Sequence, residues 1–115
     1  MDIQPVSISN AEHYAWGMAC DGWHLLKRGE LSVIQERVPA GASETPHYHN
    51  TARQFFYILA GEATMVFDDG EVQMKKGDGQ EIPPNINHQF KNHSATDVNF
   101  LVISYPPTSK DRVNI

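Results

Sequence analysis

Apolar and polar positions in this chain follow one another in short runs with turn residues about every ten positions. No window sustains apolar spacing at three and four residues, so the pattern predicts strands and little helix. Residues 16–27 hold two apolar clusters around Asp21-Gly22, which reads as strand, turn, strand. Residues 31–38, LSVIQERV, alternate and stop at Pro39-Ala40-Gly41. The run 55–59, FFYIL, predicts a buried strand with one polar residue, Gln54, at its entrance. Glu62–Phe67 and residues 71–75 flank Asp68-Asp69-Gly70, a hairpin signal. Short extended pieces follow at 80–83 and 86–91, and Val98–Tyr105 is apolar enough to be covered on both faces. Residues 1–15 read as an arm or irregular edge strand, and 106–115 as a polar tail. Many short strands joined by frequent turns predict an all-β sandwich or barrel.

Residues 41–61, GASETPHYHNTARQFFYILAG, carry the first candidate chemistry. Side chains repeat every second residue along a strand, so His47 and His49 leave the backbone on one face, as half a metal site. Pro46 disfavours helical geometry at Thr45 and supports the strand. Gln54 has the opposite parity, so it can share a cavity with the histidines only if residues 50–53 turn or bulge. A further histidine, His88, lies in residues 77–92, GDGQEIPPNINHQFKN.

Written as spacings, the two stretches are G-x5-H-x-H-x4-Q-x6-G and G-x5-P-x-N-x2-H-x3-N. They resemble the paired motifs of the cupins, which usually carry Glu at the position of Gln54 and Gly at that of Asn85. A lone H-x-H is a weak signal, whereas two motifs in order with their glycines and proline in place are specific. The resemblance implies a small antiparallel jelly-roll β-barrel, the cupin double-stranded β-helix, as one domain over residues 1–115. It also implies that His47, His49 and His88 hold a metal, with Gln54 at the fourth ligand position or hydrogen-bonded to a ligand histidine.

Three imidazoles suit one divalent transition metal. An amide oxygen carries no charge, so with Gln54 the site keeps a formal 2+ where glutamate would leave 1+. This favours Zn, Ni or Cu, with Fe or Mn as further possibilities, and Lewis-acid chemistry over one-electron oxygen chemistry. Phe56 and Ile58 share the phase of Gln54, and Phe90 that of His88, so these three are expected to line an apolar pocket for a small organic ligand. Glu81, Tyr57 and Glu36 are the candidates for a general base, and phase does not choose among them. His13, His24 and His93 match nothing in the motifs and read as ordinary surface or half-buried residues.

Composition narrows the rest. A chain of 115 residues buries little more than ~60% of the surface it exposes when unfolded, so extra burial in a homodimer is expected. With 9 Lys+Arg against 14 Asp+Glu, a net charge of −5 and no basic block, nucleic acid is not an expected partner. The single cysteine, Cys20, excludes an internal disulfide framework and suits a reducing compartment. The first ten residues hold no basic stretch followed by an apolar core, and no run suits a bilayer, so a cytoplasmic protein without a membrane partner is expected. Two functions compete: a metal-dependent enzyme of dioxygenase, isomerase or cyclase type, and a non-catalytic small-molecule-binding or sensor module.

Overall fold

The structure, a computed structural model, describes residues 3–108 and 110–115. Met1 and Asp2 of the expected arm and Ser109 of the expected tail lie outside the described residues. The described residues form strands β1 (Glu12–Trp16), β2 (Cys20–Lys27), β3 (Ser32–Val38), β4 (His47–His49), β5 (Arg53–Ala60) and β6 (Glu62–Phe67). They continue with β7 (Gly70–Lys75), β8 (Gly79–Ile82), β9 (His88–Lys91), β10 (Val98–Tyr105) and β11 (Arg112–Asn114), and contain no helix. Two antiparallel sheets result, a six-stranded one in the order β1-β2-β3-β10-β5-β8 and a five-stranded one in the order β11-β4-β9-β6-β7.

Their inner faces meet in one apolar cluster. Phe56 and Phe100 from the first sheet and Phe90 from the second stack with ring centroids 4.1 to 5.9 Å apart, among Ile58, Met65 and Val98. Such ring pairs add about 0.5–1.5 kcal/mol each beyond the area they bury. Gly61 closes the β5–β6 connection at φ +85°, and a Cβ there would run into the Asp97 carbonyl. Asn92, which ends the second motif, is almost wholly buried and fully bonded. Its Nδ2 donates to the carbonyls of Val38 (2.9 Å) and Thr96 (2.8 Å), and its Oδ1 accepts from Ser94 N and Oγ.

Several sequence expectations require correction. Asp21-Gly22 is not a turn: the chain reverses at residues 17–19, where Gly17 (φ +54°) and Ala19 (φ +60°) take left-handed conformations. Both Asp21 and Gly22 lie within β2, Asp21 facing Arg37 at 2.6 Å and Gly22 passing beneath the ring of Tyr14. β5 is covered on one face only, with Phe55 and Tyr57 exposed. β10 likewise alternates buried and half-buried positions. The polar tail holds β11, which pairs with β4 opposite the first two histidines. Apolar character alone could not show which face a neighbouring sheet covers, and the strand at 112–114 is too short and polar to register as a pattern.

Candidate metal centre

The site is assembled by cross-strand registry. On β4, His47 and His49 point inward on either side of half-buried Tyr48. His47 stands directly opposite His88 of β9, which brings the two rings to 4.4 Å, while the His47 and His49 rings are 4.9 Å apart. The three histidines are 2–4% exposed, and their ligand nitrogens lie within 4.8 Å of one another. These three buried histidines could hold a metal ion.

The remaining hydrogen bonds decide which atoms are free. Thr45 O lies 2.7 Å from His47 Nδ1, and Ile86 O lies 2.9 Å from His88 Nδ1. A carbonyl only accepts, so each Nδ1 carries the proton and each Nε2 keeps its lone pair. His88 Nε2 and His49 Nδ1 are buried without any protein partner. Burial, with repulsion from the neighbouring imidazoles and Arg112, pushes His47 down to about 3 and His49 down to about 4, and burial also lowers His88. All three are therefore neutral near pH 7, the form that binds a metal.

Gln54 reaches the cluster because the chain changes sheet between β4 and β5. The crossover is tied down from the C-terminal segment: the Asp111 carboxylate accepts the N–H groups of Thr51 (2.9 Å) and Ala52 (2.7 Å), and the Asp111 carbonyl accepts that of Asn50 (3.1 Å). Gln54 Nε2 donates to Ser104 Oγ at 3.2 Å, leaving its Oε1 buried without a partner. The buried Gln54 Oε1 and the ring nitrogens His88 Nε2 and His49 Nδ1, all without a partner, cost free energy unless something satisfies them, so the donor set fits a cation. Asn85, which departs from the usual motif glycine, sits at φ +66°, a left-handed conformation that Asn tolerates, and its N–H donates to His49 O at 2.7 Å.

A cavity of about 210 Å³ opens beside His47, His49 and Gln54. Phe56 lines it, whereas Ile58 and Phe90 are not among its lining residues and lie in the apolar cluster. Its wall is more polar than the sequence suggested, because Tyr14, Glu36, Glu44, Ser104 and Arg112 also face it. Of the three base candidates, Glu36 lines the cavity, Tyr57 points out from β5, and Glu81 is exposed in an ion pair with Arg53 at 2.9 Å. Tyr14 and Arg112 escaped sequence reasoning because they lie outside the motifs, in segments read as arm and tail, and Glu44 because it stands at one of the unspecified positions between Gly41 and His47. His13 pairs with Asp21 on the surface, His24 packs on Tyr14 with ring centroids 5.0 Å apart, and His93 is exposed.

Known proteins agree with this picture. The family described as Cupin domain matches residues 34–104. An uncharacterized protein of Methanocaldococcus jannaschii is 33% identical over 92 residues, 80% of this chain and 74% of that one. The quercetin 2,3-dioxygenase of Bacillus subtilis is 33% identical over 63 residues, which are 55% of this chain but 19% of the dioxygenase. The polyketide cyclase RemF of Streptomyces resistomycificus superposes with a TM-score of 0.83 at 18% identity, covering 99% of this chain and 86% of the cyclase, a likeness of fold. Two antiparallel sheets, two motifs meeting at one buried histidine cluster, and a family match across most of both sheets give one conclusion: this chain belongs to the cupin family.

Proposed function

We propose that this cupin binds one divalent transition metal through His47, His49 and His88, with Gln54 Oε1 as fourth donor, and acts on a small organic molecule in the adjoining cavity. The observation that carries this reading is the set of unpartnered buried polar atoms on His49, Gln54 and His88 beside one cluster of three buried histidines. A donor set without a carboxylate favours Zn, Ni or Cu over Mn, with Fe as a further candidate. When bound, the ion supplies Lewis-acid stabilisation of negative charge on a substrate oxygen. The chain's own residues do the rest: Phe56 and Trp16 exclude water, Arg112 stands at the wall as a cation, and Glu36 and Glu44 offer proton-accepting oxygens. The reaction class is that of a dioxygenase, isomerase or cyclase.

We further propose a cytoplasmic homodimer. Phe55 (40% exposed), Tyr57 (38%) and Tyr105 (64%) stand on the outer face of β5 and β10, the kind of apolar surface a second copy covers. Free, buried Cys20 agrees with a reducing compartment.

The test is purification without chelator followed by elemental analysis of wild type and His88→Ala. About one metal ion per chain in the wild type, lost in the variant, is the expected result. A wild-type protein that refuses every divalent ion offered overturns the reading.

A further inference from the structure

The cavity contains acid–base groups that the metal centre does not use. Tyr14, Gly22 and Glu36 are direct neighbours in register across β1, β2 and β3. Adjacent strands lie ~4.8 Å apart, so Tyr14 and Glu36 start about two strand spacings from each other. They meet because the strand between them carries no side chain there. A Cβ on buried Gly22 would overlap the Tyr14 ring, which therefore lies across β2, where its hydroxyl and the Glu36 carboxyl interact electrostatically. A mid-strand glycine is less stable than alanine in that place, and here it leaves the space that this contact requires.

Glu44 faces the same cavity from the segment before β4 and is held in place: Oε1 accepts the Phe90 N–H, and its own N–H donates to Phe90 O, both at 3.0 Å. Among the described residues neither Glu36 nor Glu44 has an ion-pair partner within 4.0 Å. Two carboxyl groups thus border a cavity that also touches His47, His49 and Gln54.

We propose that Glu36 is the proton-exchanging residue of this cavity, positioned by Tyr14 and opposed by Glu44. The matching substrate is a small molecule with a weakly acidic C–H beside a carbonyl. This rests on the metal-dependent reading above. In the step, a Glu36 carboxylate oxygen takes the proton, the C–H electron pair stays on the substrate as an enolate, and the reverse step returns a proton to carbon. No oxidant or reductant is consumed.

The electrostatics agree. Burial, then repulsion from Glu44, pushes Glu36 up to about 8, while the Tyr14 hydroxyl and Arg112 act in the opposite sense. Glu36 keeps some surface open to the cavity yet is enclosed by protein, and the enclosure governs its charge. The titratable groups around it are Tyr14 on β1, Cys20 on β2, Glu44 before β4, His47 and His49 on β4, and Arg112 on β11. Both forms of Glu36 are therefore populated near neutrality, as proton exchange requires.

The experiment follows hydrogen–deuterium exchange into hydroxyacetone by proton NMR, without oxygen, using metal-containing protein in D2O. Wild type should accelerate exchange, and Glu36→Gln should lower the rate on the order of 100-fold with metal content unchanged. Tyr14→Phe should keep exchange but move its pH midpoint upward, because the lost hydroxyl favoured the carboxylate. Independently of turnover, carboxyl carbon NMR of the metal-free protein should show a group titrating near 8 that disappears in Glu36→Gln. Exchange that survives Glu36→Gln, no exchange by metal-containing wild type, or joint loss of metal and exchange in the variant would each overturn the assignment. A wild type without metal instead removes the parent reading.

Discussion

Replacing Glu36 with Gln should remove a loss of stability that the metal-free protein suffers as pH rises past neutrality. The Glu36 carboxyl has an ordinary value of 4.5 and is pushed to about 8 in the fold, so between these limits the native state holds a proton that the unfolded chain has released. Raising the pH through that interval therefore favours unfolding. One proton corresponds to ~1.4 kcal/mol per pH unit, or at most about 2 kcal/mol between about pH 6.5 and about pH 8. Water reaching the cavity lowers this to roughly 1 kcal/mol, equivalent to about 4 °C in Tm for a chain of this length. Gln keeps the shape but cannot ionise. Thermal unfolding of both proteins across this range should show a steeper fall in the wild type; Glu44, pushed to about 7, contributes a smaller decline common to both. Parallel profiles would refute the claim that Glu36 is held protonated by its surroundings.

The metal-free protein should also lose stability as pH falls below 6.5. His47 and His49 stay neutral in the fold down to about 3 and about 4, while the unfolded chain takes up protons, at ~1.4 kcal/mol per pH unit for each group; denaturant titration of metal-free and metal-loaded samples measures this, and bound metal should raise stability at every pH. Asp111→Ala should cost roughly 2–3 kcal/mol, because the N–H groups of Thr51 and Ala52 lose a carboxylate that they hold below the usual range, and should weaken metal binding as the crossover between β4 and β5 loosens; a variant with wild-type stability would show that the clamp is idle. Gln54→Glu should tighten Mn²⁺ binding at least about tenfold while lowering metal-free stability near neutral pH, since the new carboxylate is buried beside Ser104; competition titrations that leave the metal preference unmoved would place Gln54 outside the ligand set.

Much of the cupin frame was legible in residue order. Period-two spacing put His47 and His49 on one face, and their parity against Gln54 required a change of course at 50–53, where the chain passes from one sheet to the other. The marked positions of the motifs have physical reasons. Gly61 adopts a conformation that side chains resist, the buried Asn92 side chain makes four hydrogen bonds, and Asn85 takes the left-handed position usually left to glycine.

Local pattern is a property of neighbouring residues, so it determined strands, turns and the phase of each side chain along its own strand. Only the tertiary structure decided what lies opposite what. The Tyr14–Gly22–Glu36 row joins three strands, Glu44 is held by a β9 backbone group 46 residues away, and Asp111 clamps a turn about 60 residues before it. Asp21-Gly22 read as a turn because the pair favours one in isolation, yet β1 and β3 on either side hold it extended. Burial and charge are summed over such distant neighbours, which is why the histidine pair was visible in the sequence and the carboxyl pair beside it was not.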